Sequence, residues 1–199
     1  MDTENCWSFL HKALESYAPI SNETWLKFQA IGQIKNYKIG ELLLRAGQQA
    51  KHIHFICQGM ARTYFTDHDG NHYNKNIFSE GHFPASMVSL LEEAPSYLTI
   101  EMLEDTTLIN IDYKKYRQLI NEREDLKNFY ISYTEKRWVI AKEKNELAMA
   151  TQHATQRYLT FLEQNPGIID RVKQKHVAAH LGITPTQLSR IRKELKKSS

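Results

Sequence analysis

The segment from Gln174 to Ile191, QKHVAAHLGITPTQLSRI, places the strongest constraint on how this chain folds. Its apolar residues have the spacing that two short helices need in order to pack against each other. These residues are Val177, Leu181, Ile183, Leu188 and Ile191. Gly182 lies where the chain must turn, and glycine adopts a positive φ without steric cost. Thr184, Pro185 and Gln187 then match the start of a second helix with a Thr-x-x-Gln capping box. The segment therefore predicts a helix-turn-helix.

The distribution of charge favours a nucleic-acid partner over the alternative interpretation, an ordinary helical hairpin at the surface. Residues 171–199 hold eight Lys and Arg against one Glu, a net charge of +7. The other residues hold 18 Lys and Arg against 22 acids, a net charge of −4. A basic tail alone is often only a solvated end, but a basic helix-turn-helix is built to lie in a DNA major groove. The pattern therefore predicts double-stranded DNA as a partner.

Length and composition exclude several classes of protein. A chain of 199 residues with 41% hydrophobic residues can bury one large or two small domains, so global disorder is not expected. No apolar run approaches about 18 residues, so we expect no membrane span and no membrane partner. The N-terminus, MDTENCWSFLHK, has acids where a signal peptide needs positive charge, which predicts a cytoplasmic protein. Cys6 and Cys57 are too few for a disulfide framework or an iron–sulfur cluster.

Residues 33–112 have the pattern of an antiparallel β-roll. Six of the eight glycines fall between Gly32 and Gly81. The short runs IHFIC, ARTYF, NHYNKNIF, LTIEML and TTLINI are rich in β-branched and aromatic residues. Asp67–Asn71 contains an Asp-Gly pair that suits a hairpin turn. Several short strands at this spacing predict a β-roll or barrel.

Helical segments flank the predicted strands. Residues 4–30 carry apolar residues at helical spacing, and Ser21 can cap a second short helix there. Residues 113–165 are also helical in pattern, with a seven-residue repeat that is typical of a dimerisation seam. The alternative is an amphipathic helix lying on its own β-domain, and the two interpretations are not exclusive. The predicted seam consists of Leu126, Phe129, Tyr133, Ile140 and Leu147.

The order of these parts resembles the bacterial Crp/Fnr family of transcription regulators. KIGELLLRAGQQAKHIHFICQGMARTYFTDHDGNHYNKNIFSEGHF resembles the first half of the family's cyclic-nucleotide-binding-type domain. IDYKKYRQLI resembles the start of the helix before the dimer helix, and AAHLGITPTQLSRIRKEL resembles the DNA-binding element. The resemblance implies an α+β chain with an N-terminal antiparallel, jelly-roll-like β-roll flanked by helices. It implies a sensor domain at 1–123, a dimerisation helix at 124–150 and a helix-turn-helix domain at 151–199. A homodimer, and RNA polymerase as a further partner, belong to the same expectation.

The sequence departs from the family where its nucleotide-binding members hold the cyclic phosphate. Those members carry a Gly-Glu pair and then Arg-Ser or Arg-Thr, and the arginine neutralises the phosphate bidentately. In GHFPASMVSLLEEAPSYLTIE, Ala85-Ser86 and Ser96-Tyr97 stand at these positions. Ala141 and Lys142 replace the polar pair that meets the purine. We therefore expect no cofactor and no binding of cyclic AMP at micromolar concentration.

What the remaining cavity holds is left open by the sequence. A small neutral or apolar effector and an empty, collapsed cavity are equally compatible with it. The candidate effector-pocket residues are Ser86, Met87, Ser96, Tyr97, Ala141 and Lys142.

The helix that begins at Pro185 would read DNA through exposed positions near its N-terminus. The candidate base-reading residues are Thr186, Gln187, Ser189 and Arg190. Arg190 has the fork that fits guanine, and it matches the family's base-reading arginine, although it could instead clamp a phosphate. The candidate phosphate contacts are Lys175, His176, Thr184, Arg192, Lys193, Lys196 and Lys197. The sequence ends four residues after Leu195, where family members usually continue into a β-wing, so we expect the last lysines to supply part of its contacts.

Two other functions fit parts of the sequence. The first is a cupin-like metal enzyme, because His52 and His54 would point the same way on a strand. The expected acid is absent at Gln58 and Gly59, and only His72 and His82 are available as a third ligand. No Ser-His-Asp or Cys-His spacing supports nucleophilic catalysis, so we expect no enzyme, no catalytic residue and no metal site. The second is an effector-sensing or protein-interaction module that has lost specific DNA binding, against which the base-facing side chains argue.

Overall fold

The computed structural model describes residues 3–197, which form a β-roll flanked and followed by helices. The strands are β1 (Gly32–Tyr37), β2 (Leu42–Leu44), β3 (His52–Gln58), β4 (Ala61–Thr66), β5 (His72–Phe78), β6 (Thr99–Met102) and β7 (Thr106–Asp112). The helices before and within the roll are α1 (Thr3–Glu15), α2 (Asn22–Ala30) and α3 (Met87–Glu92). The helices after it are α4 (Tyr113–Glu122), α5 (Glu124–Thr134), a π-helical segment (Glu135–Ile140), α6 (Ala141–Thr151), α7 (Ala154–Gln164), α8 (Ile168–Arg171), α9 (Gln174–His180) and α10 (Pro185–Lys197). Among these helices, none is long and apolar enough to cross a membrane.

The strands pair in two antiparallel sheets, which confirms the predicted β-roll. The sheet orders are β1-β7-β3 and β2-β6-β4-β5. Phe55 of β3 lies opposite Ile109 of β7, and both side chains are fully buried in the main core. The predicted hairpin closes β4 on β5, because the Asp67 carboxylate accepts hydrogen bonds from the N–H groups of Asp69 and Asn71. The central strands β3, β4 and β7 are buried along most of their length rather than on alternate residues, because the roll and the flanking helices cover them from both sides.

Asp125 joins the N-terminal helices to α5. It accepts hydrogen bonds from the Ser21 N–H at 2.9 Å and the Thr24 hydroxyl at 2.8 Å. Burial opposes the charge, but these hydrogen bonds prevail and lower the pKa of Asp125 to about 2. Ser21 also caps α2, as its hydroxyl accepts a hydrogen bond from the Thr24 N–H.

The long helix from α5 to α6 does not keep the predicted seven-residue seam. In its π-helical segment the Ala141 N–H donates to the Lys136 carbonyl, five residues back. A π-helical turn takes in one extra residue, so residues on either side of it no longer share a face. Leu126 and Phe129 are buried in the core of their own β-roll, whereas Ile140 and Leu147 are about half exposed. The prediction that Leu126 and Phe129 lie in a dimer seam is therefore wrong.

Helices α9 and α10 are joined by a tight turn with the predicted local features. Gly182 adopts φ 66°, in the left-handed region that glycine tolerates. The Gln187 N–H donates to the Thr184 hydroxyl at 3.1 Å, and the Thr184 N–H donates to Gln187 Oε1 at 2.8 Å. This reciprocal pair is the predicted capping box. Val177 of α9 and Leu188 of α10 are fully buried between the helices and their neighbours.

The C-terminal helices share a core with the β-roll. Met60, in the turn between β3 and β4, is fully buried in the same cluster as the apolar residues of α7 to α10. Asn74 of β5 donates its side-chain N–H to the His176 carbonyl at 2.8 Å. Arg171 forms ion pairs with Glu80 at 2.8 Å and Glu104 at 2.7 Å. The C-terminal unit is thus docked on the roll by apolar, hydrogen-bonded and ionic contacts.

Candidate functional sites

Helix α10 presents a polar face opposite its buried one. Leu188 and Ile191 are buried, whereas Thr186, Ser189 and Arg190 are exposed. The exposed residues lie three and four positions apart, so they occupy one face of the helix. The hydroxyls and the guanidinium on this face can donate hydrogen bonds to a partner.

Gln187 is exposed but already engaged. Its side-chain oxygen accepts the Thr184 N–H, which holds the amide against the N-terminus of α10. Bidentate pairing with adenine needs both the oxygen and the nitrogen of the amide, turned towards the base. Turning the amide away would break the capping box, which makes Gln187 a weaker candidate for base reading than Arg190.

Most of the predicted phosphate contacts lie at the surface. Lys175, Lys193, Lys196, Lys197 and Thr184 are exposed, and Arg192 is partly buried. His176 is different, because only 7% of it is exposed. Burial, together with the nearby charge of Arg62, lowers the pKa of His176 to about 4. A buried, neutral imidazole is unsuited to a phosphate contact, so this residue is a structural link to β5 and the prediction for it is corrected.

Arg62 of β4 holds the part of the sheet that contacts His176. Its guanidinium is 6% exposed and donates to one oxygen of Glu101 from Nε at 3.0 Å and Nη2 at 2.6 Å. Nη1 donates to the Asn74 side-chain oxygen at 3.0 Å, and the group lies 4.0 Å from the centre of the Tyr64 ring. Because Asn74 in turn holds the His176 carbonyl, the ion pair positions the contact between the roll and α9.

The stability of the fold is expected to fall with pH below the ordinary histidine range. Burial lowers the pKa of His54 to about 4, despite its hydrogen bond to Asn110. An unfolded histidine titrates near about 6.5, so between these values the unfolded state binds more protons. The free energy of unfolding should therefore be highest above about pH 6.5 and decrease as pH falls towards 4. Urea denaturation across this range measures it, and His54→Gln should flatten the profile; an unchanged slope in the variant would contradict the assignment.

The two serines at the predicted phosphate position are satisfied by each other. Ser86 and Ser96 are both 3% exposed, and a hydrogen bond of 2.8 Å joins their hydroxyl oxygens. The Leu98 N–H also donates to the Ser96 oxygen at 3.0 Å. Neither position provides a charged group. Ser86 lines a second cavity of about 500 Å³, but it offers only a hydroxyl there, which Ser96 already engages.

The other candidate effector residues do not join them. Tyr97 is 74% exposed, and Ala141 is only partly buried. Lys142 lies at the surface and pairs with Glu146 at 3.5 Å. The six predicted residues therefore do not line one pocket, because the π-helical segment and the outward turn at Tyr97 move them apart. Of the six, Met87 lines the cavity described next.

A cavity of about 310 Å³ lies between the roll, α3 and the helices α4 and α5. Its wall is mostly aromatic and includes Phe83, Tyr113, Tyr116, Tyr130, Tyr133 and Trp138. The sequence analysis did not identify it. The sequence signal that indicates the cavity is the density of aromatic residues between Tyr113 and Trp138, which the seven-residue repeat does not explain.

Of the histidines that the metal-enzyme alternative requires, only His52 and His54 lie near each other, with ring centres 6.1 Å apart. His54 also bonds Asn110, whereas His72 stacks on Tyr64 and the ring of His82 bonds the Ser79 carbonyl. Within residues 3–197, no three His, Cys, Asp or Glu side chains are arranged to hold a metal ion.

Comparison with known proteins agrees with this architecture. Residues 34–123 match the family model described as the cyclic nucleotide-binding domain. No curated protein sequence matches the chain. Among solved structures, one described as a cyclic nucleotide binding protein from Ruegeria pomeroyi is 18% identical, with 99% of this chain and 89% of that chain covered and a TM-score of 0.68.

Two further structures are regulators. The c-di-GMP responsive global regulator CLP of Xanthomonas campestris is 17% identical, with 89% of this chain and 93% of that chain covered and a TM-score of 0.68. A protein from Eubacterium rectale, described as a transcriptional regulator of the Crp/Fnr family, is 16% identical, with 92% and 88% covered and the same TM-score. At these identities the likeness shows the fold. Residues 34–123 therefore form a domain of the cyclic nucleotide-binding type, in a chain with the fold of Crp/Fnr-like regulators.

Proposed function

We propose that this chain is a sequence-specific DNA-binding transcription regulator that binds two-fold sites as a homodimer. The observation that carries the proposal is the capped α9–α10 pair, whose polar face holds Thr186, Ser189 and Arg190 on a segment of net charge +7. In this proposal α9 and α10 are a helix-turn-helix, and α10 lies in the major groove. Lys175, Arg192, Lys193, Lys196 and Lys197 contact phosphates. The fold of Crp/Fnr-like regulators supports the proposal.

The domain roles follow from the same proposal. Residues 1–123 sense a signal, 124–150 dimerise and 151–199 bind DNA. The contacts of Asn74 with His176 and of Glu80 with Arg171 then connect the sensor with the DNA-binding unit. A binding role of this kind needs no catalytic residue, and an interaction module without DNA binding is the alternative that the next experiment tests.

The experiment is to incubate the full chain with sheared genomic DNA and to sequence the retained fragments at two salt concentrations. Phosphate contacts alone give binding that falls steeply with salt and carries no sequence preference. We expect an enriched two-fold motif that survives the higher salt. Retention without a motif would leave only charge-driven binding and would favour the interaction module.

Dimerisation should depend on the apolar residues that α5 to α6 leave exposed. Exposed apolar side chains on this helix are Ile131, Val139, Ile140, Leu147 and Met149. Leu147→Glu should convert a dimer into a monomer, because a charge at the centre of an apolar interface loses its hydration without a partner. Glu143→Gln, at another exposed position of α6, is the matched control. Sedimentation equilibrium measures the mass, and a wild-type monomer at tens of micromolar would contradict the prediction.

Cyclic AMP is expected not to bind. The anionic phosphate needs a charged partner, and Ser86 and Ser96 offer only hydroxyls that already bond each other. Titration calorimetry of the full chain should show no heat of binding at micromolar nucleotide. Saturable micromolar binding would show that the serine pair opens to admit the phosphate.

A further inference from the structure

The aromatic cavity is built unlike a nucleotide site. Within residues 3–197 no charged side chain lines it, and the polar groups of its wall are the Thr134 hydroxyl, the tyrosine hydroxyls and the indole N–H of Trp138. Water in such a cavity would find few of the two to four polar partners that it needs. The volume of about 310 Å³ lies at the lower end of the range for small-molecule sites. The cavity therefore favours a small apolar occupant.

The shape of the wall selects for a ring. Phe83 and Phe129 lie on its roll and helix sides, and Tyr133 packs edge-on to Phe83 at 5.4 Å between ring centres. Aromatic rings contact each other favourably in offset or edge-to-face arrangements. Met87 adds a flexible, polarisable side chain that adapts to the outline of a ligand.

One wall residue carries an unsatisfied polar atom. Tyr113 is 7% exposed, and its hydroxyl is buried without a hydrogen-bond partner among the described residues. Buried hydroxyls nearly always have a partner, because an unpaired one costs about 1–3 kcal/mol. Burial also raises the pKa of Tyr113, so that the phenol remains a donor at neutral pH.

We propose that this cavity binds a small aromatic molecule whose single polar group pairs with the Tyr113 hydroxyl. The site is separate from the Ser86–Ser96 position, because neither serine lines it. Thr134 and Trp138 of its wall lie at the junction of α5 and the π-helical segment, and π-helical turns are frequent at functional sites. A ligand here would contact the helix proposed to dimerise. The inference is independent of DNA binding, since it concerns the free protein.

The test uses 2-naphthol and naphthalene as probes of the full chain, followed by calorimetry and tryptophan fluorescence. We expect one saturable site per chain for both. Ala85→Trp should abolish binding by filling the cavity, whereas Ala46→Trp, on an exposed loop, should bind as the wild type does. Met87→Phe, a smaller change that is more certain to fold, should weaken binding several-fold. Tyr113→Phe should weaken the binding of 2-naphthol about five-fold and leave the binding of naphthalene unchanged.

Two outcomes would overturn the proposal. The first is that neither probe binds the wild type; if Ala85→Trp then also dissociates a dimer in sedimentation, the cavity is the contact site for a second copy of the chain. The second is that Ala85→Trp and Met87→Phe both bind the probes as tightly as the wild type does. Equal loss of both probes in Tyr113→Phe would remove the assigned polar contact.

Discussion

Replacing Glu101 by Gln is expected to lower the free energy of unfolding by about 3 kcal/mol, the lower end of the range for breaking a buried ion pair, because Glu101 is 22% exposed. The variant keeps the size of the side chain but removes its charge. Arg62 would then be a buried cation, 6% exposed, held only by uncharged groups: the new amide, the Asn74 oxygen and the Tyr64 ring. Arginine does not deprotonate in proteins, so it cannot escape by losing its proton.

Urea denaturation of the full chain measures this effect. Glu92→Gln is the matched control, because Glu92 is exposed on α3 and should change stability by less than about 0.5 kcal/mol. The double variant Arg62→Met with Glu101→Leu should lose less stability than Glu101→Gln alone, because it removes both charges and leaves none buried without a partner. A Glu101→Gln variant as stable as the control would mean that water reaches the guanidinium.

The ion pair also bears on the docking of the C-terminal unit. Arg62 holds the Asn74 oxygen, and the Asn74 nitrogen holds the His176 carbonyl. Loss of Glu101 should therefore loosen α9 as well as the roll. Hydrogen exchange of the amides in α9 should become faster in Glu101→Gln than in Glu92→Gln.

The features that the sequence predicted correctly are local. The hairpin at Asp67–Asn71 and the capping box of Thr184 and Gln187 depend on residues within four positions of each other. The β-branched and aromatic runs likewise indicated the strands, although β3, β4 and β7 are buried nearly throughout and not on alternate residues. Such features can be derived from spacing because the chain geometry alone brings their atoms together.

The features that the sequence analysis missed are contacts between distant segments or changes of helical register. The seven-residue repeat predicted one face from Leu126 to Leu147, but the extra residue of the π-helical segment interrupts that face. Histidine is a residue type that often contacts phosphates at a surface, but His176 is buried. Its carbonyl bonds Asn74, which lies 102 positions away in the sequence. The aromatic cavity combines Phe28, Phe83 and Trp138, which no spacing rule relates. These sites become visible only when the elements are packed.

Arg190→Ala is expected to weaken binding to the enriched operator by about 1–3 kcal/mol, roughly 5- to 150-fold, and to relax the preference at one base pair. The proposal assigns Arg190 to a guanine, whose O6 and N7 match the two parallel N–H groups of the guanidinium. The residue is exposed on α10, one turn beyond Thr186, while Leu188 and Ile191 fix the opposite face in the core. Replacement by alanine should therefore leave the fold intact.

Lys196→Ala is the matched control, because it removes one positive charge from the same exposed helix. Loss of a phosphate contact weakens binding to all sequences alike and lowers the slope of log affinity against log salt by about one. Arg190→Ala should instead lower the affinity for the operator strongly and the affinity for unrelated DNA only slightly. Fluorescence anisotropy on operators varied one base pair at a time measures both. If Arg190→Ala lowers affinity for all sequences as uniformly as Lys196→Ala does, Arg190 contacts a phosphate and does not read a base. Thr186 or Ser189 would then be the base-reading residue, because Gln187 is engaged in the capping box.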